Sequence, residues 1–427
     1  METSSTTDLI QSWQTGHPGS AAWLGGRRAA GAARLATLGL PTTQLEPWRY
    51  TSLKRLGGVA FEHHTEVGVD QAALAALRLA GAAAELVVVN GRVRPELSRI
   101  AGVVGLAVGP LADADEALVS LFGGSLTAED GLGALHDALV QEGWWVKVAR
   151  GAVAGPVHLL HVMTGAAGPA VASPQHLILA EANADLQVLE THAAIGGADT
   201  LSTASVEIRV GPGARVRQQV IVHGAAEGRR SALHRTAARI ERDATWHRHV
   251  VVLGGALVRD DVHGTLAGPG GTCLLDGLLL AGRGEHIDTP TRVEHAAPSC
   301  MTRERYKGVI GAGGRGVFDG TVVVHEGARG TDAIQSNHNL LLADDADINT
   351  KPRLEIYNDD VKCAHGTTVG QLDRQQLAYL RMRGIPEGEA RAMLTHAFVT
   401  DVCEAAPVAP AQALVEAKLA ALLGEVA

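Results

Sequence analysis

Asn183-Ala184-Asp185-Leu186-Gln187-Val188-Leu189-Glu190, Gly213-Ala214-Arg215-Val216-Arg217-Gln218-Gln219-Val220 and Asp243-Ala244-Thr245-Trp246-His247-Arg248-His249-Val250 are three versions of one phrase. Each opens on a small-residue corner and runs into an alternating strand. Their alanines, Ala184, Ala214 and Ala244, stand 30 residues apart. Weaker echoes follow at Gly270-Gly271-Thr272, Gly314-Arg315-Gly316, Gly327-Ala328-Arg329 and Asp345-Ala346-Asp347. A corner that returns at a fixed period marks a stacked solenoid, in which each coil leaves an apolar face bare until the next one covers it. A β-sandwich also yields many short strands but has no reason to repeat a corner at one spacing. The fold class read here is mainly β, a parallel β-helix.

Working outward, the strand pattern covers Val157–Met163, His176–Leu179, Leu186–Glu190, Ser205–Val210, Val216–Val222, Ala237–Ile240 and Trp246–Leu253. Before Gly143 the periodicity is largely helical, from about Asp8 to Leu38, at 70–82 and over 111–142, with one strand at Glu85–Asn90. Gly39-Leu40-Pro41 stops the first helix. Beyond Gln371 the pattern is helical again, with a stripe of Leu372, Leu377 and Leu380, a second helix opened by Pro386, and a third over about Ala409–Leu423. Three domains follow: a helix-rich region over 1–150, a β-helix core over 151–370 and a helical domain over 371–427. The last would cap the open end of the solenoid or dock a partner.

Composition narrows the function. Hydrophobic residues make up 46% of 427, charged residues 19% and aromatics 3%, so the core is built from small aliphatic side chains. A net charge of −9 argues against a nucleic-acid footprint. The four cysteines, Cys273, Cys300, Cys363 and Cys403, have no CxxC spacing, which excludes a zinc module or disulfide framework and fits a reducing, cytoplasmic setting. The beginning of the chain has no signal-peptide pattern and no apolar run is long enough for a membrane helix, so a soluble protein is expected.

The densest pair of soft ligands is Cys363 and His365. In an extended segment both point the same way, with Cα atoms roughly 6.6 Å apart. Thiolate and imidazole bind zinc, copper or iron, but two donors do not close a site that takes about four. The pair is half of a site completed elsewhere, or simply core plus surface. Other constellations carry less. His247-Arg248-His249 reads as a solvated strand face. His286-Ile287-Asp288 and Glu294-His295 read as a surface polar ladder. Gly311-Ala312-Gly313-Gly314-Arg315-Gly316 lacks the Lys-Ser/Thr of a P-loop and reads as a turn. Glu46-Pro47-Trp48-Arg49-Tyr50-Thr51 reads as an aromatic anchor. Cys273, Cys300 and Cys403 read as structural.

A set of words in order resembles the SufB/SufD family of iron–sulfur cluster assembly proteins, and within it the SufD branch. They are His286-Ile287-Asp288, Val293-Glu294-His295, Tyr306-Lys307-Gly308-Val309, Val317-Phe318-Asp319-Gly320, Gln335-Ser336-Asn337-His338-Asn339, Ile348-Asn349-Thr350-Lys351-Pro352 and Asp359-Asp360-Val361-Lys362-Cys363-Ala364-His365-Gly366. The resemblance is strong from about Arg283 to Glu404. It implies a right-handed parallel β-helix between N-terminal and C-terminal helical domains. It also implies a non-catalytic scaffold subunit that pairs with SufB and binds the ATPase SufC through about 371–427, in a SufBC2D-type complex. Such a complex builds nascent Fe–S clusters with sulfur from a cysteine desulfurase and in some cases a reduced flavin. The family's interface histidine, proposed as an iron or cluster ligand, matches His365, with Cys363 beside it as the weaker candidate. SufB-like chains carry a cysteine in the word that here holds Ser336, so the sulfur-accepting cysteine is absent from this chain. The alternative is a purely structural partner of SufB and SufC with no ligand of its own, and a homodimer of isolated chains is also expected.

Overall fold

The computed structural model describes residues 22–64, 67–121, 131–224 and 227–425. The expected helix from Asp8 is described only as Ala22–Leu38; its first part, and part of the segment 111–142, lie outside the described residues. The chain winds back and forth between two sheets. One sheet stacks Ala84–Val89, Val153–Thr164, Asp185–Ile195, Arg215–Val222, Thr245–Val252, Thr272–Ala281, Met301–Ile310, Thr331–Leu341 and Val361–Gly370, each parallel to the next. The other runs from Trp144–Val148 through Gln175–Ala180, Ser205–Val210, Arg230–Ile240, Leu257–Leu266, His286–His295 and Arg315–Val324 to Asp347–Ile356. Consecutive strands fall in opposite sheets, the connectivity of a parallel β-solenoid with helices at both ends of the chain.

The corner phrase explains the winding. Asn183, Gly213, Asp243 and Gly270 all take left-handed backbone, with φ of 59°, 69°, 54° and 73°. Only glycine, asparagine and aspartate visit that region readily. The alanine after each of the first three is buried, Ala184 at 1% and Ala214 and Ala244 at 0% exposure, because the corner has no room for more. Backbone hydrogen bonds climb from coil to coil, Asn183 N to Pro212 O at 2.9 Å and Gly213 N to Arg242 O at 2.8 Å. A Cβ at Gly213 would sit 2.3 Å from Asn183 Oδ1, so the side chain of one corner fills the space that glycine leaves in the next.

Alternation then sorts each strand. Leu186, Val188, Val216, Val220, Trp246, Val250, Cys273 and Leu275 fill the interior between the sheets. Cys273 and Cys300 are buried there, consistent with structural thiols. The outward residues Leu189, Ile221, Val251, Leu278, Val309 and Leu340 of the first sheet receive Val399, Val402, Val415, Leu419 and Leu422 from the C-terminal helices Glu387–Glu404 and Gln412–Gly424. These helices therefore lie along the flank of the solenoid. They do not cap its end, because the sheet's outward face offers a longer apolar stripe than one coil does. Gln219 pins them, donating to Ala409 O at 2.8 Å and accepting from the backbone of Val408 and Ala409. The helix Arg374–Met382 has no buried residue, and Tyr379 and Met382 are exposed.

The segment around Trp48 anchors the N-terminal region to the other flank. Trp48 is buried, the Arg259 guanidinium lies 3.9 Å from its ring, and Thr51 Oγ1 donates to Asp288 Oδ2 at 2.6 Å. His286 also contacts Thr51 at 3.0 Å. His286 and Asp288 are thus a buried anchor, not the expected surface ladder. The His247-Arg248-His249 face is likewise not solvated: His249 meets the carbonyl of Val402, His247 meets Asp276, and Arg248 points inward to Asp260. The C-terminal helices supply the cover that strand alternation alone could not reveal. The Gly311–Gly316 run is a turn entering the strand Arg315–Val324.

Candidate functional site

The last coil consists of Asp347–Ile356 and Val361–Gly370, each the terminal strand of its sheet. Register places Cys363 over Ala333 and His365 over Gln335. Ala333 and Gln335 are buried inward residues, so Val361, Cys363, His365, Thr367 and Val369 continue the interior column at a coil that nothing covers among the described residues. Cys363 is half-buried and His365 exposed. Burial raises the Cys363 thiol above its ordinary range, so this thiol is reluctant to ionise. The two candidate ligands do share a face, as the alternation predicts.

Below His365 the column is polar. Gln335 Nε2 donates to Glu304 Oε2, and Glu304 lies one coil further in. Desolvation pushes the Glu304 carboxyl up to about 7, despite the hydrogen bond from Gln335 that favours its charged form. The same register line continues through Leu275 to Arg248 and Gln218. Arg248 donates to Asp260 at 2.8 Å, both fully buried, and Gln218 Nε2 donates to Glu190 Oε1 at 2.6 Å. Ser336, in contrast, faces outward and its hydroxyl donates to the carbonyl of Glu304. It stands on the opposite side of its strand from the column that ends at His365.

Deeper in the solenoid lies a group that the sequence reading missed. His161, Glu190 and His192 bring one potential ligand atom each within 4.8 Å of one another, all buried. The His161 and His192 rings stack at 4.2 Å, and His234 follows at 4.1 Å from His192. His176 meets His161 edge-on at 4.7 Å. Burial lowers all four imidazoles, so they are neutral at ordinary pH. His161 and His192 are register partners; histidines one coil apart were the signal available in the sequence.

A model of the family described as "SUF system FeS cluster assembly, SufBD core domain" matches residues 161–398. The iron-sulfur cluster assembly protein SufD of Escherichia coli (strain K12) is 34% identical over 87% of this chain and 86% of its own length. A SufBD family protein of Synechocystis is 29% identical over 90% of this chain and 88% of its own length. One from Mycobacterium tuberculosis is 36% identical over 39% of this chain and 44% of its own. With a family domain spanning the coils that carry both the exposed and the buried constellations, and a full-length likeness to a SufD, the chain belongs to the SufB/SufD family of iron–sulfur cluster assembly proteins and is SufD-like within it.

Proposed function

We propose that this chain is the non-catalytic scaffold subunit of a SUF assembly complex, pairing with SufB through its open last coil and with the ATPase SufC through the C-terminal helices. The observation that carries the reading is the interior column that ends, uncovered, at Cys363 and His365. Both terminal strands have neighbours on one side only among the described residues, and an unpaired edge is a template for another chain. On this reading His365 donates an imidazole to iron or to a nascent cluster, the cargo of the complex, and the partner completes a ligand set that is usually four. The raised thiol of Cys363 makes it the weaker donor, since iron would have to displace its proton.

The helix Arg374–Met382, with Tyr379 and Met382 exposed, is the accessible part of the tail for an ATPase to engage. The deeper helices, held by Gln219, His249 and Lys307, would transmit its motion to the sheet. No helix among the described residues is long and apolar enough to cross a membrane.

The test is anaerobic reconstitution with SufB and SufC, comparing the wild-type chain with His365→Ala by visible absorbance and iron count. Loss of the cluster from an intact complex is expected. An exposed substitution costs stability within about 0.5 kcal/mol, so folding is retained. A full cluster yield from His365→Ala would leave this chain a purely structural partner, with every ligand on SufB.

A further inference from the structure

The buried histidine group in the solenoid interior is not used by the reading above. His161 sits on Val153–Thr164, Glu190 and His192 on Asp185–Ile195, and all three point into the lumen that Leu159, Val188 and Val220 line elsewhere. Exposure is 4% for His161 and 2% each for Glu190 and His192. Buried polar groups are almost always hydrogen-bonded. Here both ring nitrogens of His161, both of His234, Nδ1 of His192 and Nε2 of His176 have no partner. A cluster of neutral imidazoles with free lone pairs around one carboxylate is costly unless something occupies it. Beside this group, on the side away from His161, a cavity of about 10 Å³ opens between Glu190, His192, His234, Arg235, Arg248 and Asp260, the space of a single water or ion.

We propose that His161, Glu190 and His192 are the ligands of a buried mononuclear site for a divalent metal ion of the zinc or ferrous class, with His234 beside the remaining position. Two imidazoles and one carboxylate are the donor set those ions take. The imidazoles need no deprotonation to bind. Gln218 Nε2, donating to Glu190 Oε1, fixes the carboxylate while its other oxygen faces His192 Nε2 at 3.7 Å. Such second contacts orient metal ligands. Three buried cations, Arg230, Arg235 and Arg248, oppose the ion. Arg248 is neutralised by Asp260, and Arg230 donates to the carbonyl of His223. The Glu190 carboxylate offsets part of the ion's charge. Closed walls mean that the metal enters as the coils form and stays.

The test uses the full chain from cells grown in cobalt-supplemented medium, treated with EDTA after purification. The wild type is expected to retain one divalent ion per chain, with cobalt d–d absorption and imidazole scattering at the cobalt absorption edge. His192→Gln and Glu190→Gln, each folded by circular dichroism, should lower retained metal at least about tenfold, whereas His365→Ala should keep it. Wild type that retains no metal overturns the site, as do folded lumen variants that retain as much as wild type, or loss of the signal in His365→Ala. Should both lumen variants fail to fold, the wild-type edge spectrum decides: two or more imidazoles support the site, and an oxygen-only shell refutes it.

Discussion

Glu304 is a residue whose chemistry is displaced by its place in the column. Its carboxyl rises to about 7 because the lumen around it disfavours charge more than Gln335 favours it. An acid raised in the folded state destabilises the fold once the unfolded chain ionises. The penalty is absent below about pH 4, grows through the interval up to about 7, and is complete above it. A shift of this size amounts to at most about 3 kcal/mol. Glu304→Gln removes the ionisation and keeps a partner for Gln335. Urea unfolding should then show the variant gaining stability over wild type at pH 8 and little or none at pH 4; equal gains at both would mean that ionisation is not the cause. Cys363 and His365 were legible because strand alternation is local. Glu304 and Gln335 were not, since their relation to His365 depends on coil lengths. From Gln218 to Arg248 the register step is 30 residues, but from Arg248 to Leu275 it is 27 and from Glu304 to Gln335 it is 31. Corners of unequal length erase the column from any fixed-period reading.

At the scale of the element, the corner decides everything that follows it. Where spacing was constant, at Ala184, Ala214 and Ala244, the sequence announced the solenoid, and the burial of those alanines is why the signal existed. The helical tail was equally visible as helix, but not where it would lie. Its apolar stripe could have faced the end of the last coil or the flank, and only the outward Leu and Val of the first sheet, covered by Val402 and Leu419, settle that. The corner also makes a quantitative claim. Gly213→Ala adds a Cβ at positive φ and 2.3 Å from Asn183 Oδ1. The left-handed backbone alone costs roughly 1–2 kcal/mol for an alanine, and the clash adds to it. Combining it with Asn183→Gly relieves the clash and leaves the backbone term. Thermal or urea melts of the two singles and the double should therefore couple, with the double more stable than the sum of the singles by about 0.5–3 kcal/mol. Additive losses would mean that the corners do not press on one another.

Across the whole molecule, the two ends of the solenoid are treated differently. Early coils are flanked by the packed helices Ala22–Leu38 and Gly131–Leu139, whose buried Leu35, Leu132 and Leu135 join Leu201 and Leu233 of the second sheet. The last coil keeps Val369 at 46% and Ile356 at 41% exposure, beside strand edges with one neighbour each. Interior residues that face solvent at an unpaired edge are what a soluble chain normally blunts with charge or cover. Their survival here follows if another coil seats on them. In the absence of its partner, the isolated chain is then expected to associate with itself through this end. Sedimentation should show a concentration-dependent dimer for wild type and a monomer for Val369→Lys, whose ammonium would be buried unpaired by a second coil and stays solvated without one. Because Val369 contributes little to the interior of a single chain, the variant should melt within about 0.5 kcal/mol of wild type. On the proposed pairing, it should also fail to join SufB. A Val369→Lys chain that dimerises or binds SufB as wild type does would move the pairing surface away from the last coil, and with it the case for His365 as a shared ligand.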